Sequence, residues 1–407
     1  MKKINVLLPV CIFAAMLVSA VSAADIYMFI PSPEYADAIN TLIEEYKTVA
    51  PDVTINYETT QSDYPTLLKA KINAGSTPDI FGSTSGKEIA VYLDYSYNFA
   101  DEPAAEAMTD AVKGVMMSGD EVHGFAIKGN YFGLLYNKDI FEEVGITEFP
   151  KTFDGLKEAA EKIHEAGYQV FSDGFGEWWV FKHAWQTFFD AASDDPAALA
   201  DAFIKGEAHI ADYPVLYNNF FDFIDLVVKY GDAKPLESFL ANEVADFAVG
   251  KSAIVVGQGA WVEADMLQIN PDLHLGFVGY PVDDNPDHAR VIGGSDQALR
   301  INKDSAVLQE TLDFVNWWYT SDYGKAWFNN VAGVIPPVKG AEAPDMEVIK
   351  QGDALAESDG VAALSITYFT DASHQAFGET LQSYIAGTID KDTACKQIEE
   401  TWVKLEN

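Results

Sequence analysis

Basic residues are scarce in this chain of 407 residues. It has 26 Lys and Arg against 63 Asp and Glu, a formal net charge of −37. That deficit excludes a nucleic-acid binder, which needs a basic footprint to displace counterions from phosphate. It also works against docking on an anionic bilayer. Cysteine is scarcer still: Cys11 and Cys395 are too few for a disulfide framework or a cysteine-rich zinc cage. No apolar run beyond the first segment is long enough to span a membrane. The sequence has no internal repeat, no low-complexity tract and no Pro/Gly/Ser-rich linker. It also lacks a G-x-S-x-G elbow, an H-E-x-x-H motif and a P-loop. Its 7 His are scattered without ligand spacing. Aromatic residues, in contrast, are plentiful. With 8 Trp, 19 Tyr and 25 Phe in a composition that is 48% hydrophobic, the chain can bury a large core. Its length suggests two domains.

The first segment reads as an export signal. Lys2 and Lys3 precede an apolar run from Ile4 to Val18, broken only by Asn5 and Pro9. Val21-Ser22-Ala23 then places small residues at the −3 and −1 positions, which predicts cleavage after Ala23. An uncleaved anchor would need a run of about 20 residues. Cys11 follows Leu8-Pro9-Val10 and lacks the small residue expected before a lipidated cysteine, so a lipid anchor is only the alternative. Removing residues 1–23 removes two lysines and no acid, leaving 24 bases against 63 acids, or −39. The mature protein is then periplasmic or extracellular. Its one thiol, Cys395, falls in a helical pattern and reads as a small core residue.

Hydrophobic periodicity outlines an α/β protein. Asp25–Ile30 reads as a strand, and Ile39, Leu42, Ile43 and Tyr46 as a helix stopped by Pro51. Val53–Tyr57 is a strand, Leu67, Leu68 and Ile72 mark a helix ending at Gly75, and Asp79–Phe81 is a third strand. This β-α-β-α-β order is that of a doubly wound sheet. The pattern restarts where Thr152 can cap a helix carrying Leu156, Ala160 and Ile163. Strands follow at Ser252–Val256 and around Leu275, and helices around Leu308, Phe377 and Ile398.

Four stretches carry a family resemblance. "LIEEYKTVAPDVTINYE" with "DYPTLLKAKINAGSTPDIF", "GLLYNKDIFEEVGITEFPKTFDGLKEAAEKI" (Gly133 to Ile163), "FAVGKSAIVVGQGAW" (Phe247 to Trp261), and "ALRINKDS" followed by Thr311–Trp327 stand in order across essentially the whole mature chain. Together they resemble the extracellular solute-binding proteins of family 1, the maltose-binding-protein-like sugar-binding components of ABC importers. The resemblance implies a two-lobed periplasmic-binding-protein fold of type II, each lobe a doubly wound sheet. Crossings are expected near Ile127–Tyr131, Val278–Pro281 and Val334–Pro337. Lobe 1 would comprise 24–129 and 280–335, and lobe 2 would comprise 130–279 and 336–407. It implies no catalysis, no cofactor and no metal. The partners would be a neutral di- or oligosaccharide and the membrane permease subunits of the importer, with the binding protein acting as a monomer. Two departures leave the ligand open: Gly82-Ser83-Thr84-Ser85-Gly86 stands where many relatives carry Trp, and the first loop is Pro31-Ser32-Pro33-Glu34.

Sugars present flat C–H faces and a rim of hydroxyls, so aromatics and polar side chains at strand ends are the candidates. Trp261, which matches the family's cleft tryptophan, follows Gly257-Gln258-Gly259; without a third glycine that stretch is a turn and not a dinucleotide fingerprint. Trp178 and Trp179 follow a turn expected to be exposed, one stacking on ligand while its neighbour packs inward. Ser83, Thr84 and Ser85 follow a strand end. Glu34 and Asp63 stand in lobe-1 loops, Ser295 and Asp296 follow Gly293-Gly294, and Asn130 lies near the first crossing. Tyr368, Asp371 and His374 fall where the family's last lobe-2 loop meets the cleft. Asp283-Asp284-Asn285 with Asp287 lacks the order of a calcium loop. Two other readings stay open at this point. The acidic field would suit a polyamine or other cationic solute, and a glycoside hydrolase would use a pair of acids.

Overall fold

The structure is a computed structural model that describes residues 24–407; the export segment and Cys11 lie outside the described residues. Two four-stranded sheets and a small third one organise the chain. The first has the spatial order Gln297–Ile301, Ile80–Thr84, Ala24–Ile30, Val53–Thr59. Its last three strands are parallel, and Gln297–Ile301 returns antiparallel. The helix Ala36–Val49 buries Ile39, Leu42, Ile43 and Tyr46, the i, i+3, i+4, i+7 stripe of its sequence. That stripe packs beside an aromatic core of Trp318, Tyr319, Trp327 and Phe328. Each such side chain contributes about 1.5–3 kcal/mol by leaving water.

The second sheet has the order Leu275–Val278, Leu134–Asn137, Ser252–Val255, Gln169–Ser172. It is mixed: Leu134–Asn137 runs antiparallel to both neighbours, and only the last pair is parallel. Thr152 caps the helix Phe153–Glu165 as its sequence predicts, its Oγ1 accepting from Gly155 N at 3.2 Å. The core beneath this sheet is again aromatic, with Trp185, Phe189, Phe203, Phe220 and Trp402 in one cluster. Cys395 lies in that core, and burial pushes its thiol up to about 12. No helix among the described residues is long and apolar enough to cross a membrane.

The third sheet joins the other two. Asn130–Phe132 leads directly into the second sheet, and Val291–Gly294, its antiparallel partner, leads into the first. Two stretches pack differently from expectation. Residues 280–290, expected with lobe 1, pack on lobe 2: Tyr280 and Val282 join its core, and Arg290 pairs with Asp190. Past residue 335, Val338 lies in the first core and Lys339 N donates to Ala107 O at 2.8 Å.

Candidate functional site

A cavity of about 720 Å³, its open mouth included, lies between the lobes. The first lobe contributes Glu34 beyond the end of Ala24–Ile30, Ser83 and Thr84 at the end of Ile80–Thr84, and Asp296 and Gln297 at the return strand. The second contributes Trp178, Trp179, Lys182 and His183 from the opening turns of the helix Trp178–Ala191, Trp261, and Asp371 at the start of Asp371–Ile385. Lys128 and Asn130 come from the first crossing. Carboxyl ends of parallel strands are where open α/β sheets place ligands.

Trp261 is held on several sides. Its Nε1 donates to Gln258 Oε1 at 3.0 Å, and Gln258 Nε2 donates to Glu243 Oε2 at 2.6 Å. Gln258 and Glu243 are fully buried, and burial pushes the Glu243 carboxyl well up. The indole meets Phe132 and His183 edge-on, with centroids 5.4 and 5.6 Å away. Gly259 permits this: a Cβ there would fall 2.3 Å from the indole ring. His183 Nδ1 lies 2.8 Å from Gly257 O. Burial, then the Lys182 charge, push His183 down to about 3, so the ring is neutral. A carbonyl only accepts, so Nδ1 carries the proton and Nε2 remains an acceptor.

Two lysines sit over tryptophan faces. Lys128 Nζ is 4.9 Å from the Trp261 ring, 5.0 Å from Tyr35, and 3.6 Å from Glu34 Oε1. Lys182 Nζ is 5.4 Å from the Trp178 ring, one helical turn back. Burial raises the Glu34 carboxyl, and Lys128 partly offsets that rise.

The lobes also touch directly. Thr84 donates to Asp371 from N at 3.1 Å and from Oγ1, and Asp371 N donates to Glu88 Oε2 at 2.9 Å. Ser62 Oγ donates to Glu177 Oε2, and Trp178 Nε1 donates to Ser62 O at 3.3 Å. Lys87 N donates to Thr367 O at 2.8 Å. At Gly86, with φ +68°, a Cβ would come within 2.4 Å of Thr367 O, so only glycine fits this contact.

Of the residues expected from sequence, Trp261, Trp178, Trp179, Glu34, Ser83, Thr84, Asn130, Asp296 and Asp371 line the cavity. Both adjacent tryptophans do so, and the turn before them is not exposed, since Phe175 is buried completely. Five candidates fall elsewhere. Asp63 is exposed at the start of Tyr64–Asn73. Ser85 Oγ donates to Ser295 O at 2.7 Å, and Ser295 Oγ to Lys128 O at 2.9 Å, so both hydroxyls hold the crossing together. Tyr368 packs against the second core. His374 Nε2 bonds the Ile366 carbonyl at 2.8 Å, and burial pushes the ring down to about 4. Ser83 and Thr84 end the strand itself and do not follow it. Among the described residues no cluster of His, Cys, Asp or Glu is arranged to hold a metal.

Sequence reasoning missed Lys128, Lys182, His183, Gln61, Tyr64 and Gln297. A lysine four positions after Trp178 was the one available signal; the others gather only through the fold.

The model for "Bacterial extracellular solute-binding protein" matches residues 41–357. The melibiose/raffinose/stachyose-binding protein MelE of Bacillus subtilis is 21% identical over 299 residues, 71% of this chain and 68% of that protein. The fold is that of a solved sugar transporter from Bacillus licheniformis in complex with stachyose, with TM-score 0.79 and 18% identity over 94% of this chain and all of that one. A RafE–raffinose complex superposes with TM-score 0.80 and 16% identity, again over 94% of this chain and 100% of that one. With the family match spanning most of the sequence and the fold agreeing over nearly all of it, the chain belongs to the bacterial extracellular solute-binding proteins.

Proposed function

We propose that this protein binds a sugar, a di- or oligosaccharide, in the cleft between its lobes and delivers it to the permease of an ABC importer. One observation carries this reading. The interlobe cavity is walled by Trp178, Trp179 and Trp261, and rimmed from both lobes by hydroxyl, amide and carboxylate side chains. Rings suit the C–H faces of a pyranose, and the polar rim suits its hydroxyls. The sugars named for the similar proteins support it. Closure follows because a ligand touching Thr84 and Asp296 on one side and Trp178 and Asp371 on the other gains contacts that an open cleft cannot make. The lobes are residues 24–129 with 297–341, and 130–290 with 346–407. The protein works without catalysis, outside the cytoplasm, as a monomer. Lys128 and Lys182 in the cavity weigh against a polyamine, whose ammonium groups they would repel.

Thermal-shift screening tests the reading, since a ligand of the folded state raises the melting temperature. Glucosides, galactosides or xylosides should raise it and spermidine should not. A rise with polyamines alone refutes the sugar assignment, and steady product release from a glycoside refutes pure binding.

A further inference from the structure

Lys182 distinguishes this cleft. Its side chain is 8% exposed and lines the cavity, yet no carboxylate oxygen among the described residues lies within 4.0 Å of its Nζ. Every other charged group lining the cavity has an ionic or hydrogen-bond partner, a neutral one for Asp296 and for Asp371. Glu34 has Lys128, Asp296 accepts from Asn130 Nδ2 at 3.2 Å, and Asp371 accepts from Thr84. The Trp178 ring backs the Lys182 ammonium without neutralising it. The helix that carries Lys182 is 14 residues long, opens at the cavity, and has no acid in its first turn. Its N-cap is Glu177, whose Oε2 is taken by Ser62 Oγ and by Trp179 Nε1 at 3.2 Å, so that carboxylate is engaged away from Lys182 Nζ.

A buried ammonium without a counter-charge is costly. A neutral sugar closing over it would remove its remaining water and return only hydroxyl dipoles. A carboxylate would return a charge-assisted hydrogen bond. Resting on the sugar reading above, we propose that the cleft selects an acidic sugar, one bearing a uronate carboxylate, and that Lys182 is the residue that reads the charge.

Isothermal titration of the whole protein tests this with matched trisaccharides in gluco, galacto and xylo series. In each, one member ends in a uronic acid, one has that carboxyl reduced to hydroxymethyl, and one carries a sulfate at the same end. The uronate should bind about tenfold or more tighter than its reduced twin. Lys182→Met should erase that preference, so that the uronate and its reduced twin bind within about threefold of each other. Lys182→Gln should do the same with a polar side chain in place. Equal binding of acidic and reduced sugars, or a preference that survives in both variants, overturns the proposal and leaves the sugar reading standing. Tighter binding of the sulfate overturns the carboxylate assignment. If no sugar of the panel binds, acidic or neutral, the sugar reading falls and takes this proposal with it.

Discussion

Raising the pH from 6.5 to 8 should destabilise this protein. Glu88 is 2% exposed at the lobe junction, and burial, then the nearby Asp371 charge, push its carboxyl up to about 8. Asp173 is fully buried, accepts from the Phe175 and Asp232 backbones, and burial pushes it up to about 7. Both values lie above those of an unfolded chain. The folded state therefore keeps protons that the unfolded state has released, and stability falls with pH until the folded values are passed. The buried His183 and His374 oppose this only at lower pH. Their folded values, about 3 and about 4, lie below the unfolded 6.5, so their contribution grows up to pH 6.5 and is then constant. Across the window from 6.5 to 8 the acids lose stability, and the surface histidines His209 and His274, held up by hydrogen bonds to Glu399 and Asp139, add to the loss in the same direction. Glu88 spans about 1.5 units of it at about 1.4 kcal/mol per unit, roughly 2 kcal/mol, and Asp173 adds under 1 kcal/mol. Thermal unfolding at constant ionic strength should show the melting temperature falling by several degrees across the window. Glu88→Gln, which keeps an acceptor for Asp371 N, should remove most of the slope. A flat or rising profile in the unmodified protein, or an unchanged slope in Glu88→Gln, refutes the reasoning.

Three further outcomes are expected. Trp261→Ala should weaken sugar binding about tenfold or more, through lost stacking and a freed Gln258, with the far-ultraviolet spectrum unchanged; unaltered affinity in titration removes Trp261 from the site. Ser62→Ala deletes a bond to Glu177 across the cleft from a residue outside the cavity lining. Because a hydrogen bond to a charged group contributes about 1.5–3 kcal/mol, and this one forms only when the lobes meet, sugar affinity should drop roughly tenfold. Equal affinity would show that the contact does not contribute to closure. Glu263, 1% exposed, accepts from Glu347 N and Val348 N at 2.8 Å each and so caps the helix Glu347–Asp359. Glu263→Ala should cost about 2–4 kcal/mol, read as an earlier urea midpoint.

The fold was largely legible because its elements are amphipathic. Ile39, Leu42, Ile43 and Tyr46 could face only one way on a helix, and Thr152 could cap only the next one. The cavity lining was legible where a residue type and a strand end coincide, as at Thr84 and Asp296. It was not legible where the backbone alone decides direction. Ser83 lines the cavity while Ser85, two positions on, turns its hydroxyl to Ser295 O and leaves the site. Asp371 faces the first lobe, but His374, one turn later on the same helix, is held by Ile366. Composition cannot separate such neighbours, because the choice rests on contacts that only the fold makes, as between Ser85 and Ser295 or Thr84 and Asp371. The packing of residues 280–290 was hidden for a related reason. Tyr280 and Val282 follow the strand Leu275–Val278 directly and pack into the second core, which periodicity alone does not reveal.

The charge deficit that dominates the composition does not describe the cleft. A uniform acidic field would put carboxylates in the cavity without cations, and would favour a cationic guest. Instead Lys128 and Lys182, 4% and 8% exposed, are two of the few bases in the chain and both line the cavity. Burying an ammonium is unfavourable unless something on site repays it. Glu34 does so for Lys128. For Lys182 only the Trp178 ring is at hand, and a cation over a ring face regains about 0.5–2 kcal/mol, less than a charge-assisted pair would. The acids elsewhere say little about the ligand. The site's selectivity therefore has to be read from the one cation there that the protein leaves without a counter-charge, and that cation favours an acidic guest over the cationic one that the net charge alone would suggest.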